Sequence, residues 1–212
     1  MDMILDSTEV RILGCLIEKE MATPEYYPLS LNSLTNACNQ KSNRNPVLSL
    51  GEYDVEKGLD GLQKKGLVRS TVAAGSRVPK FLHTLFDRFD LSKQDFAVLC
   101  ELFLRGPQTT GELRSHTERL SEFGSIEAAA DVLQNLSAQE PPLVVLLPRE
   151  AGRKERRYMH LFSGETFNSG AYDETSATSE PDRITALEEQ VAALKRELDE
   201  LKSTFAEFRS QF

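Results

Sequence analysis

Asn39, Gln40, Lys41, Ser42, Asn43, Arg44 and Asn45 form an unbroken polar row between two apolar stretches. Amide and hydroxyl side chains donate to phosphate oxygens and base edges. Lys41 and Arg44 add positive charge, so the row has the chemistry of a nucleic-acid contact. The same residue types also serve turns: asparagine tolerates left-handed backbone, and Asn45-Pro46 suits the end of a loop before a helix. Turn chemistry accounts for one or two of these side chains, and hardly for seven in a row.

A second concentration of charge lies far along the chain. Between Arg149 and Arg157 five of nine residues are basic: Arg149, Arg153, Lys154, Arg156 and Arg157. Such a cluster on a hairpin can lie along phosphates or reach a minor groove. Glu150 and Glu155 partly neutralise it, and a solvated hairpin tip is the plain alternative.

Catalytic chemistry has no comparable support. No zinc-protease, nucleophile-elbow, phosphate-loop or dinucleotide motif occurs, and the carboxylates are scattered over what read as solvent faces. Cys15, Cys38 and Cys100 are far apart and sit within or beside apolar helical patterns, which suits small buried hydrophobes in a reducing compartment. His83 and His160 occupy equivalent places in an internal repeat described below, so a shared structural role explains them more simply than ligation. The expectation is a protein that is not an enzyme and carries neither metal nor cofactor.

The chain has 212 residues, 40% of them hydrophobic, and a net charge of −8. The acidity is uneven. Residues 1–84 balance 10 Lys+Arg against 10 Asp+Glu, residues 85–162 carry 10 against 12, and residues 163–212 carry 5 against 11. An acidic total therefore does not argue against a nucleic-acid surface in the near-neutral front part. No apolar run is long enough to span a membrane and the start lacks a secretory pattern, so a cytoplasmic location is expected.

The elements that must position these residues follow from periodicity. Asp6 and Glu9 cap a helix whose Val10, Leu13, Leu16 and Ile17 recur at helical spacing, and Ser30 precedes a second with Leu31, Leu34 and Cys38 on one face. Ser49 and Glu52 read as a capping box opening a third helix, with Val55, Leu59 and Leu62 inward and Gly66 as its stop. Two short β-rich runs follow around an Ala-Gly-Ser turn.

The order then recurs. Phe96, Leu99, Leu102 and Phe103 match Val10, Leu13, Leu16 and Ile17 at an offset of 86, and Ser92 caps that helix. Thr109 with Glu112 makes a further box. Val132 and Leu136 match Val55 and Leu59 at an offset of 77, which also carries Phe81-Leu82-His83 onto Tyr158-Met159-His160. Helix, helix, helix and hairpin, twice over, is the order of a winged helix-turn-helix. The expected fold is mainly α with small β-hairpins (α+β): two tandem winged helix-turn-helix domains at 1–86 and 87–162.

Residues 163–182 are rich in Ser, Thr, Gly and Ala and lack any basic residue, which reads as a flexible acidic linker. From 183 to 212 a heptad seam runs through Ile184, Leu187, Val191, Leu194, Leu198, Leu201, Phe205 and Phe208, with Phe212 closing it. The seam predicts a parallel two-stranded coiled coil and hence a homodimer; folding back on the same chain is the competing outcome.

The stretches LGCLIEKE, TPEYYPLSLNSLTNACNQKSNRNPV, SRVPKFLH, LRGPQTTGELR and LPREAGRKERRYMHLF together resemble the YceH-like family of bacterial proteins over about residues 6–162. The resemblance implies tandem winged-helix domains and bacterial cytosolic origin. It supplies no catalytic or cofactor residues.

Two functional readings follow. One is a nucleic-acid-binding, regulator-like protein that meets duplex DNA through the polar row and the second wing. Its third helices would not read bases, since Glu52, Asp54, Glu56 and Asp60 line one, and Ser125, Glu127 and three alanines open the other. The alternative is an adaptor that uses the same fold to bind another protein.

Overall fold

A computed structural model describes residues 4–72, 75, 78–149 and 152–164. The linker from residue 165 on and the heptad segment, with every dimerisation candidate, lie outside the described residues.

Local chemistry sets the helix starts. Helix α1, Ser7–Ala22, begins with a reciprocal box in which Glu9 N–H donates to Asp6 Oδ1 (2.8 Å) and Asp6 N–H donates to Glu9 Oε2 (2.9 Å). Ser30 caps α2, Leu31–Cys38, by accepting from Ser33 N–H. Ser92 and Asp95 box the start of α5, Lys93–Arg105, and Thr109 with Glu112 that of α6, Thr110–Thr117. Ser125 caps α7, Ile126–Ser137.

Helix α3, Glu52–Lys64, departs from the expected Ser49 box. The Asn39 side chain holds Leu50 in both directions, accepting from its N–H at 2.7 Å and donating to its carbonyl at 2.8 Å. With Leu50 so held outside the helix, Gly51 becomes the cap and its N–H donates to Asp54 Oδ2 at 2.9 Å. Gly66, at φ +68, stops the helix as its successor Leu67 bonds back to Leu62 O.

Two small antiparallel sheets accompany the helices. In the first, β1 (Leu29–Ser30) and β2 (Val68–Thr71) flank β3 (Lys80–His83), with Leu29 opposite Phe81 and Val68 opposite His83. In the second, β4 (Val144–Leu146) pairs with β5 (Tyr158–His160), Val144 opposite His160. A bridge between Gln108 and Tyr158 repeats the Leu29–Phe81 pairing, so even the unanticipated strand β1 has its counterpart. A short helix α4, Leu85–Arg88, joins the two repeats. The chain is thus mixed α and β, mainly helical, with small antiparallel sheets.

The repeats pack as one compact unit around α1 and α5. Both helices are buried well beyond the single apolar stripe that periodicity suggested. In α1 every residue from Glu9 to Glu18 is buried, and in α5 every residue from Phe96 to Leu104. Gly14 makes the close approach possible, because a Cβ there would lie 2.8 Å from Leu104 Cδ2 and 3.0 Å from Phe103 Cβ. The Cys100 thiol reaches Gly14 O at 3.4 Å, which joins residues that the offset of 86 makes equivalent. No described helix is long and apolar enough to cross a membrane.

Candidate nucleic-acid interface

The polar row forms the loop between α2 and α3, and most of it is turned inward. Arg44 is buried, its side chain 0% exposed. Its guanidinium donates to Glu18 Oε2 at 2.6 Å and Glu18 Oε1 at 3.0 Å, to Ala37 O, Asn43 O and Gln40 Oε1, and lies 3.6 Å from Cys15 Sγ. Arg44 therefore does not offer its charge to an external phosphate, contrary to the expectation from its type. A carboxylate buried on α1 needs partners brought to it, and Arg44 is the most deeply buried of the cations that meet it.

The neighbours share the task. Asn39 clasps Leu50, Gln40 accepts from Arg44, and Asn43, at φ +57, gives its Oδ1 to the Arg105 guanidinium at the end of α5. Asn45 N–H donates to Leu104 O at 2.9 Å. The loop thus fastens the first repeat to the second. Only Lys41, Ser42 and Asn45 of the row are exposed.

A network of buried charge extends from this fastening. Arg119 donates to Glu18 Oε1 and, at 2.7 Å, to Glu101 Oε1; Glu101 also accepts from Arg105 Nε at 2.9 Å, and Lys19 lies 3.3 Å from Glu18. Burial alone would raise the Glu18 pKa. The hydrogen bond and charge of Arg44, with Arg119 and Lys19, reverse that and hold it at about 2.

The basic cluster near Arg149 behaves as its residue types suggest. Arg149, Arg153, Lys154 and Arg156 are exposed where the chain turns between β4 and β5. Arg149 Nε donates to Arg153 O at 2.8 Å, and Arg156 donates to Leu147 O at 2.8 Å and Leu146 O at 3.3 Å. These carbonyls steady two guanidinium stems while the groups stay at the surface. Arg157 differs: it donates to Pro107 O at 2.7 Å and Glu112 Oε1 at 2.9 Å, tying the hairpin to the start of α6.

Beside this hairpin lies an open groove of about 480 Å³ whose lining includes Gly111, Ile126, Ala130, Leu146, Tyr158 and Arg156. Glu127 and Glu155 also line it. Ile126, 46% exposed at the first turn of α7, is the sequence signal that could have found it, being a large apolar residue at a helix start with no inward partner. On α3 the carboxylates Glu52, Asp54, Glu56 and Asp60 are exposed, as their types suggest.

The two equivalent histidines have diverged. His83 Nδ1 accepts from Leu85 N–H while Nε2 lies 2.8 Å from Glu20 Oε2. His160 stands edge-on to Phe103, 4.9 Å between ring centres, and burial lowers its pKa to about 4. Among the described residues no group of three or more His, Cys, Asp and Glu is placed to hold a metal ion.

Comparison with known proteins places the chain. A family described as "Protein of unknown function, DUF480" matches residues 5–153. Over 219 aligned positions the chain is 53% identical to a UPF0502 protein of Geotalea uraniireducens (strain Rf4), with 100% of both chains covered. It is 50% identical over 220 positions to one of Geobacter sulfurreducens, again with 100% of both covered. A UPF0502 protein of Aeromonas hydrophila subsp. hydrophila is 49% identical over 199 positions, 90% of this chain and 91% of that one. These matches agree with the resemblance carried by the motifs, and the chain belongs to the bacterial DUF480/UPF0502 family.

Proposed function

We propose that the protein is a non-enzymatic nucleic-acid-binding protein built from two tandem winged helices, and that it grips the phosphodiester backbone of duplex DNA with its second hairpin. In this reading α2–α3 and α6–α7 are the helix-turn-helix pairs, and the β2–β3 and β4–β5 hairpins are the wings. The observation that carries it is the exposed set Arg149, Arg153, Lys154 and Arg156, two of whose guanidinium groups are already steadied by backbone carbonyls. Preordered arginines lose less side-chain freedom on meeting a phosphate.

The acidic face of α3 and Glu127 on α7 disfavour insertion of either helix into a major groove, so the contact is to backbone rather than to bases. Lys41 and the exposed Ser42 and Asn45 are the part of the polar row left to contribute. The groove favours a second reading, an adaptor that seats a protein segment on Ile126, Ala130, Leu146 and Tyr158. Titration of random-sequence duplex DNA at several salt concentrations separates the two: salt-sensitive binding supports the first, and absence of binding at low salt transfers the role to the groove.

A further inference from the structure

Glu18 and Glu101 form the floor of a ladder of charge along the seam where the repeats meet. Lys19 Nζ lies 3.3 Å from Glu18 Oε2, and Arg119 Nη1 bonds the other oxygen, Oε1. Arg119 Nη2 donates to Glu101 Oε1 at 2.7 Å and Arg105 Nε to Glu101 Oε2 at 2.9 Å, so Arg119 is the shared middle rung. The two carboxylate side chains are 1% and 0% exposed, whereas those of Lys19, Arg119 and Arg105 are 22%, 31% and 22% exposed. The carboxylates are thus covered by cations that water still reaches. Arg119 Nε and Arg105 Nη1 have no hydrogen-bond partner among the described residues, and Lys19 Nζ meets only Glu18.

The ladder holds more positive charge than its carboxylates offset. Deeper in, Arg44 takes Glu18 Oε2 at 2.6 Å, and Arg11 is buried beside it: the two donate to successive carbonyls, Arg44 to Ala37 O and Arg11 to Cys38 O, each at 3.0 Å. Among the described residues no carboxylate pairs with Arg11, and its buried Nε has no hydrogen-bond partner. Five cations therefore share two carboxylates. The C-terminal ends of α1, α2 and α5, near Lys19, Cys38 and Arg105, supply about half a negative charge each, which leaves a surplus of about one and a half positive charges. His116 lies within this field. Its Nδ1 meets Gln108 Oε1 at 2.6 Å, Gln108 Nε2 donates to Glu101 O at 3.0 Å, and burial followed by the Arg105 charge holds the His116 pKa below the ordinary value.

We propose that this seam is a binding site for a small phosphate monoester, whose dianion is held by Lys19, Arg119 and Arg105. A phosphate monoester carries about −1.5 to −2 charges at neutral pH and presents three oxygens that accept strong hydrogen bonds, which matches both the surplus and the number of cations. A diester of the kind that makes a nucleic-acid backbone has one charge and fewer free oxygens, and it offsets the surplus less fully. Guanidinium groups already fixed on carboxylates lose little freedom on meeting the ligand. Lys19 is on α1, Arg105 ends α5 and Arg119 follows α6, so one bound anion ties the two repeats together and stabilises the folded chain. These residues are separate from the hairpin set, and the proposal does not depend on nucleic-acid binding.

The test titrates the full chain calorimetrically at neutral pH with methyl phosphate and with dimethyl phosphate, in phosphate-free buffer with ionic strength held by chloride. Methyl phosphate should bind saturably, one per chain, and dimethyl phosphate at least about tenfold more weakly. Lys19→Met removes a group that meets only Glu18, at 3.3 Å, and should weaken methyl phosphate binding about tenfold. The variant with all four exposed hairpin cations replaced by Ala should bind it as the wild type does. In the wild type the His116 ring resonance should titrate at higher pH when methyl phosphate is present, because the dianion offsets the cations around it. No saturable binding at about 10 mM methyl phosphate would overturn the proposal. Equal affinity for the two esters, or loss of binding in the hairpin variant, would do the same. Should Lys19→Met fail to fold, the wild-type resonance decides, and a His116 midpoint that methyl phosphate leaves in place contradicts the site.

Discussion

Arg44 reaches from the loop after α2 to Glu18 on α1, Nη2 to Oε2 at 2.6 Å, with side chains 0% and 1% exposed. The pair converts a stretch that reads as a surface recognition loop into an internal fastening. Removing one partner leaves the other charged and buried, which costs about 3–5 kcal/mol. Arg44→Ala should therefore lower the denaturant midpoint sharply. Any folded fraction should keep the salt dependence of DNA binding, whereas a phosphate contact would reduce the slope by about one.

Stability should fall with acid in two steps. His160 has its pKa lowered by burial to about 4, from the ordinary 6.5, so the unfolded chain binds the extra proton more readily. Its contribution is complete above pH 6.5 and is lost as pH falls towards 4, on the order of 3 kcal/mol. Glu18 is held at about 2, below the usual 4.5, and its contribution is present above pH 4.5 and lost as pH falls towards 2. Denaturant midpoints measured from pH 7.5 to pH 3 should show the first loss vanish in His160→Phe while the second remains. A wild-type midpoint constant between pH 7 and 5 would count against the buried neutral imidazole.

Gly14 should not accept a methyl group. The added Cβ would stand 2.8 Å from Leu104 Cδ2 and 3.0 Å from Phe103 Cβ, where two central helices are already in contact. Gly14→Ala should cost about 1–3 kcal/mol through overpacking. Gly111→Ala on α6 meets nothing within 4 Å and should be neutral or stabilising. Thermal unfolding of the two variants side by side checks the contrast.

The heptad pattern of residues 184–212 predicts self-association. Light scattering on the full chain and on a chain truncated after Glu165 should show a dimer and a monomer respectively. Two monomers at high micromolar concentration would mean that the seam finds its partner elsewhere.

What was legible in the sequence was local or periodic. Caps such as Asp6 with Glu9 and Thr109 with Glu112 span three residues, and the two offsets matched α1 to α5, α3 to α7 and the hairpin strands, while β1 went unanticipated. What was not legible joins residues far apart in the chain. Asn39 and Leu50 are 11 apart, Arg44 and Glu18 26, and Arg119 and Glu18 101, and no periodicity encodes such pairs. Charged types default to solvent, so the carboxylates, Glu18 and Glu101 among them, and Arg44 read as surface. The Ser49 box failed for the same reason, since a remote side chain had taken hold of Leu50.

The measurement closest to the central claim is the affinity for random duplex DNA between about 50 and 200 mM salt, for the wild type and for the combined Arg149→Ala, Arg153→Ala, Lys154→Ala, Arg156→Ala variant. If the hairpin grips phosphates, the wild type should show log K falling linearly with log salt at a slope of roughly −3 to −4, one increment per contact, and the variant should be weaker and nearly flat. Equal slopes, or no wild-type binding at about 50 mM salt with tens of micromolar protein, would contradict the account.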